Sequence, residues 1–170
     1  MPRLASLQLL LMDVDGVLTT GDVIYSDDGQ ETKVFNVRDG LGIRLLMEAG
    51  IRVGIVTGRR SMALVHRCTN LGIELLKDGV RDKAAALADI LAETGICADH
   101  TAFVGDDLPD LPILRRVGCP IAVADAHDEV RRVAVWVTRF PGGKGAVREI
   151  AEAILMARGD WQRLLEQRFS

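Results

Sequence analysis

The chain has 170 residues, 48% of them apolar, with 4% aromatics and a formal charge of −3. That is the length of one ordinary domain with an aliphatic core. No Lys/Arg run argues for nucleic acid, and no apolar stretch approaches a membrane span, so neither is expected as a partner.

The opening, MPRLASLQLLLMD, carries a short apolar run that ends in acid and has no small-residue cleavage site. It reads as a first strand and not as a signal peptide. Strands are expected at about 8–14, 51–56, 73–76, 101–105, 120–124 and 134–138. Their continuous apolar character suits a parallel sheet covered on both faces. Helical patterns fall between them, at about 40–49, 60–71, 81–94, 109–117, 127–132 and 145–158. Gly50, Gly72, Gly95 and Gly118 each follow a helix, where a left-handed cap is wanted. The alternation predicts an α/β, doubly wound, Rossmann-like parallel sheet.

One segment breaks that rhythm. Val23–Tyr25 and Thr32–Val37 are β-like and flank the turn composition Ser26-Asp27-Asp28-Gly29. They predict a β-hairpin at about 20–38, inserted after strand one and projecting over the carboxyl end of the sheet. The body is expected to span 1–158. The tail, 159–170, has Trp161, Leu164, Leu165 and Phe169 near helical spacing but no obvious place in the core. It reads either as a frayed end or as an arm that docks on another subunit. Cys68, Cys97 and Cys119 are odd in number and lack any CxxC, so they are expected as free thiols of a cytoplasmic protein. His66, His100 and His127 are scattered and read as surface or cap residues.

Polar groups gather where the sheet would end. Strand one exits into Asp13-Val14-Asp15-Gly16, and the second into Thr57-Gly58-Arg59. A helix opens at Asp82-Lys83, and the strand at 101–105 exits into Asp106-Asp107-Leu108-Pro109-Asp110. Phosphoryl transfer to a carboxylate with Mg²⁺ fits this set. Asp13 would be the nucleophile, and Asp15 would protonate the leaving oxygen and later take a proton from water. Asp13, Asp106 and the main-chain carbonyl of Asp15 would supply metal oxygens, with Asp107 and Asp110 orienting ligands from behind. Thr57 would offer a hydroxyl to phosphate, and Lys83 a point charge to phosphate and nucleophile.

Other motifs fail on their own terms. An EF-hand loop starting at Asp13 would place Val17 and Ile24 where acidic or amide ligands are required. Gly40-Leu41-Gly42 lacks the third glycine of a dinucleotide fingerprint, and Gly143-Lys144 lacks the opening glycine of a P-loop.

DVDGVLT, VTGR, Lys83 and VGDDLPDLP together resemble the four motifs of the haloacid dehalogenase superfamily. The hairpin, without a cap domain, resembles its capless branch. FNVRDGLGIRLL, ADAHDEVR and TRFPGGKGAVREI narrow the likeness to the phosphatases of 3-deoxy-D-manno-octulosonate 8-phosphate, a lipopolysaccharide precursor. The resemblance implies Asp13, Asp15 and Asp106 as magnesium ligands, and Thr57, Gly58 and Lys83 as the phosphate holders. It implies a homotetramer with each site closed by a neighbour, and Arg59 and Arg67 as substrate contacts, one of them across the interface. Relatives that cleave nine-carbon sialic-type acid phosphates carry Glu after Thr-Gly, so Arg59 favours the eight-carbon acid. Two alternatives stand beside this reading. One is the same chemistry on a nine-carbon acid phosphate or another phosphomonoester. The other is a non-catalytic phospho-accepting switch, although Asp15 is a group that a receiver lacks.

Overall fold

In the computed structural model, which describes residues 2–170, the first apolar run is the hub of the molecule. β1 (Leu9–Met12) has every residue at 0% exposure. It pairs in parallel with β4 (Arg52–Val56) on one side and β6 (Thr101–Gly105) on the other. Leu9 aligns with both Arg52 and Thr101. β5 (Leu75–Lys77), β7 (Cys119–Ala122) and β8 (Trp136–Val137) extend the sheet in the order β5-β4-β1-β6-β7-β8, all parallel. Strands buried on both faces need no alternation, which is why they read as plain apolar runs. The order reverses at β1, and the crevice beyond its carboxyl end is where such sheets bind ligands.

α2 (Val37–Glu48) and α7 (Ala146–Arg158) pack together on one face. Val147, Ile150, Ala151, Ile154 and Leu155 of α7 lie fully buried at helical spacing. α3 (Met62–Leu71), α4 (Lys83–Thr94) and α6 (Asp128–Val133) complete the crossovers. His127 caps α6 by accepting the Glu129 amide at 3.1 Å. The insertion after β1 is a hairpin of β2 (Ile24–Tyr25) and β3 (Glu31–Thr32), a separate two-stranded sheet, and the described residues contain no cap domain. No helix among them is long and apolar enough to cross a membrane.

The structure corrects several expectations. The second hairpin strand stops at Thr32, and Val37 already opens α2, where the Asn36 side chain accepts the Arg38 amide at 2.8 Å. α1 (Pro2–Ala5) precedes β1, with Leu4 and Leu7 buried. The expected helix at 109–117 is a 3₁₀ turn over 108–110 followed by the four-residue α5 (Leu111–Leu114). Pro109 and Pro112 remove two amide donors there. Gly72 and Gly95 end their helices in the left-handed conformation, as expected. Gly118 does not: a Cβ there would fall 2.4 Å from the carbonyl oxygen of Asp99, so it is small because two loops touch. The tail forms α8 (Trp161–Phe169), with Leu164 buried to 1% exposure and Arg168 paired with Glu48 at 2.7 Å.

Candidate active site

Asp13 sits one residue past β1, held there by its amide's 3.0 Å bond to the Val104 carbonyl. The chain then turns tightly: the Val14 carbonyl accepts the amides of Val17, Leu18 and Thr19. Gly16 makes the turn with φ of +86°, and a Cβ there would fall 2.0 Å from Asp106 Oδ2. Only glycine meets both conditions. Gly142 and Gly143 clasp the turn from behind: Gly143 donates to the Val17 carbonyl at 2.8 Å. Asp125 orients this loop by accepting the Gly142 amide at 3.0 Å.

β6 exits into Asp106, and Asp110 folds back beneath it. Asp110 Oδ2 accepts the Asp106 amide at 2.9 Å, and its Oδ1 accepts Lys83 Nζ at 2.5 Å. Gly105 leaves the room, since a Cβ there would lie 2.6 Å from Asp110 Oδ2. Asp107 caps the 3₁₀ turn through the Leu108 amide at 2.8 Å. Lys83 opens α4 behind its cap Asp82, which accepts the amides of Ala84 and Ala85. The Lys83 ammonium, 6% exposed, also stands 3.0 Å from Asp13 Oδ1. That contact is an ion pair. β4 exits into Thr57, 2% exposed, which is fixed by its amide to the Lys77 carbonyl and its carbonyl to the Val80 amide, each 3.0 Å.

Burial raises the Asp13 carboxyl above its ordinary range, against the pull of Lys83. Burial, then Asp110, Asp13 and Asp107, push Asp106 up to about 8. Burial alone would lower the Lys83 ammonium, but Asp13 and Asp110 overcome it and hold the group above its ordinary value. Asp13, Asp106 and Asp110 place one oxygen each within 4.8 Å of one another. Asp13 Oδ1 and Asp106 Oδ1 are buried and accept no hydrogen bond among the described residues. A buried carboxylate cluster with oxygens that accept no hydrogen bond, and only one ammonium beside it, fits a hard divalent cation. Asp110, although near, already spends its oxygens on Lys83 and the Asp106 amide. The Asp15 carboxylate is not part of this triad, but its carbonyl accepts no hydrogen bond among the described residues and is free to serve.

Asp13, Asp15, Thr57, Gly58, Arg59, Lys83, Asp106, Asp107 and Asp110 all line one crevice of about 360 Å³, within the range of small-ligand sites. Two larger clefts, at Met47 and at Trp136, carry no comparable cluster. Arg67 does not reach the crevice of its own chain. It donates to the Asn36 carbonyl and to Asn70, both at 3.3 Å, and lies over the Phe35 ring.

Three contributors escaped the sequence reading. Lys33 and Glu31 of the hairpin meet Asp15 and Arg59. Glu31, Lys33 and Phe35 share one face of the strand, but with two charges inward and Val34 outward the sequence pattern carries no signal of it. Asp39, 1% exposed, accepts the Arg148 amide at 2.8 Å and so anchors the start of α7 beside the glycine loop.

A haloacid dehalogenase-like hydrolase family model matches residues 65–150. The chain is 44% identical to the 3-deoxy-D-manno-octulosonate 8-phosphate phosphatase of Escherichia coli strain B, over 94% of this chain and 85% of that protein.

The chain belongs to the 3-deoxy-D-manno-octulosonate 8-phosphate phosphatase family of haloacid dehalogenase-like hydrolases.

Solved members share its fold closely. The Moraxella catarrhalis phosphatase, in complex with magnesium ion, phosphate ion and the sugar acid KDO, aligns with a TM-score of 0.95 at 40% identity over 97% of this chain and 95% of that one. The cobalt-bound Haemophilus influenzae phosphatase aligns with a TM-score of 0.91 at 42% identity over 94% and 93%.

Proposed function

We propose that this chain is a Mg²⁺-dependent phosphomonoesterase that hydrolyses 3-deoxy-D-manno-octulosonate 8-phosphate to the free sugar acid and phosphate. The observation that carries this reading is the buried cluster of Asp13, Asp106 and Asp110 beside Lys83, with oxygens of Asp13 and Asp106 that accept no hydrogen bond, in a member of this family. Asp13, Asp106 and the Asp15 carbonyl would hold Mg²⁺. When bound, Mg²⁺ neutralises carboxylate and phosphate charge and orients the phosphoryl group.

Asp13 attacks phosphorus as the sugar's 8-oxygen departs, and Asp15 gives that oxygen its proton. An aspartyl-phosphate is left on Asp13. Asp15, now ionised, takes a proton from water, whose oxygen attacks phosphorus and returns Asp13 as a carboxylate. Thr57, the Gly58 backbone and Lys83 grip the phosphate. A Cβ at Gly58 would meet only the Val80 carbonyl, at 3.6 Å, so packing alone does not demand glycine there.

Arg59, on the crevice wall, offers a guanidinium fork to the substrate carboxylate and favours the eight-carbon acid. Four copies assemble through their hairpins in this proposal. Val23, Ile24, Tyr25 and Val34 support it, since they are 44–65% exposed on one small insert. Such assembly would let Arg67 serve a neighbouring site. Residues 1–158 form the catalytic body and 159–170 the terminal element. The pathway is lipopolysaccharide biosynthesis and the compartment the cytoplasm, consistent with free thiols at Cys68, Cys97 and Cys119.

The test is phosphate release with and without Mg²⁺ from the eight-carbon and nine-carbon keto-acid phosphates, simple sugar phosphates and nucleotides. Magnesium-dependent preference for the eight-carbon acid is expected. Equal, weak release from all would overturn the substrate, and a stable phosphoprotein without release would overturn the enzyme.

A further inference from the structure

Four charged side chains close a ring at the mouth of the crevice. Lys33 Nζ donates to Asp15 Oδ1 and lies 2.9 Å from Glu31 Oε1. Arg59 donates to Glu31 Oε2 at 2.8 Å, and its Nε stands 3.9 Å from Asp15 Oδ2. Each carboxylate lies between two cations. The Lys33 side chain is the most enclosed member, 3% exposed against 21% for Asp15, 19% for Glu31 and 39% for Arg59.

Lys33 lies just beyond β3, on the same inward face as Glu31 and Phe35. Phe35 packs against the core. The lysine stem is therefore pinned by its strand, and its ammonium by two carboxylates. Burial alone would lower the Lys33 ammonium, but hydrogen bonds to Asp15 and Glu31 hold it above its ordinary value. Lys33 does not line the crevice, so it acts through the side chains it holds: Asp15 directly, and Arg59 only by way of Glu31.

Asp15 needs such help. It follows Asp13 by two residues, and nothing in the Asp13–Asp106–Asp110 cluster holds its carboxylate. Left free, the carboxylate could swing toward the bound cation and leave the departing oxygen unserved. Lys33 occupies Oδ1. Arg59 stands beyond hydrogen-bond reach of Oδ2, which stays open.

We propose that Lys33 is a positioning residue: its ammonium fixes the Asp15 carboxylate through Oδ1 so that Oδ2 serves the leaving oxygen, and Glu31, itself paired with Arg59, holds Lys33 in place. This rests on the phosphatase reading above. In the balanced step the phosphorus–oxygen ester bond breaks as the Asp13–phosphorus bond forms, and the Oδ2 proton passes to the sugar oxygen. Water then returns a proton to Oδ2 as its oxygen joins phosphorus. The hairpin thus carries a part of the catalytic apparatus as well as an assembly surface.

The experiment compares wild type, Lys33→Met, Lys33→Arg, Asp15→Asn and the double variant Asp15→Asn/Lys33→Met, as full chains with saturating Mg²⁺. Steady-state kinetics use the eight-carbon acid phosphate. Burst kinetics use p-nitrophenyl phosphate, whose leaving group departs without a proton. Lys33→Met is expected to lower kcat on the sugar ester about 10- to 100-fold with KM within about threefold, and to leave the aryl burst rate within about threefold. Lys33→Arg should restore part of kcat. In the Asp15→Asn background, Lys33→Met should cost no further activity, because its effect runs through Asp15. Additive losses, equal losses on both esters, or an unchanged kcat would overturn the positioning role. If Lys33→Met does not fold, Glu31→Gln carries the test, with the same selective fall in kcat expected and none overturning it. A wild type that cleaves neither ester overturns the phosphatase reading, and the positioning role with it.

Discussion

The crevice has two walls of different construction. On the sheet side, Asp13, Asp106, Asp110 and Lys83 stand on strand ends and a helix start, clamped by backbone bonds and by glycines that admit no Cβ. On the hairpin side, Glu31 and Lys33 come from a two-stranded insert with exposed neighbours and meet Asp15 and Arg59 of the sheet's edge mainly by charge. The first wall is a buried excess of negative charge that wants a cation. The second sets two cations, Lys33 and Arg59, against the carboxyl groups of Asp15 and Glu31. A sheet end supplies the rigidity that nucleophile and metal geometry require. A small insert can vary without disturbing the core, and it is where selectivity and proton delivery can be tuned.

That contrast can be tested by breaking each wall separately. The largest effect should come from the sheet side: Asp13→Asn should remove turnover while leaving circular dichroism and Tm close to wild type. Retained turnover would move the nucleophile elsewhere. Next comes the residue between the walls. Asp15→Asn should slow kcat by about 10² or more, as expected for loss of a general acid, and near wild-type rates would assign that role to another group. On the hairpin side, Arg59→Met should raise KM for the eight-carbon acid phosphate by about tenfold or more, the worth of a charge-assisted hydrogen bond. Its effect on p-nitrophenyl phosphate, which has no carboxylate, should be small. Equal losses on both substrates would make Arg59 a general part of the site.

The smallest effect concerns stability. Without metal, Asp106 titrates near about 8 against an ordinary 3.8, because burial and then Asp110, Asp13 and Asp107 resist its charge. The folded state therefore binds more protons than the unfolded state between those values, and the metal-free protein loses stability as pH rises through that window. A cation that replaces the proton reverses the loss. Mg²⁺ should then raise Tm by a few degrees more at about pH 8.5 than at about pH 6, as read by calorimetry. A rise independent of pH would separate Asp106 from the metal.

The sequence was most informative where local pattern and chemistry coincide. Continuous apolar runs ending in Asp13, Thr57 and Asp106 announced both the parallel sheet and the site at its carboxyl end. It was silent where a residue's meaning depends on what lies across from it. Glu31 and Lys33 gain a partner only when the hairpin folds over Asp15. Asp39 read as part of a family-like segment, yet it caps a helix that starts more than a hundred residues later. Gly118 read as a helix cap, but a touching loop sets its size. α8 is amphipathic in sequence, and only the structure shows Leu164 entering the core. Arg67 was expected near substrate, and within one chain it instead braces α2 through the Asn36 carbonyl.

Asp13 is the group proposed to receive the phosphoryl. The direct measurement is a single turnover of the eight-carbon acid phosphate with Mg²⁺, quenched and reduced with borohydride, which converts an aspartyl-phosphate to homoserine. Peptide mass spectrometry should find homoserine at position 13. Phosphate release with Asp13 unmodified, or label on another residue, would contradict the mechanism.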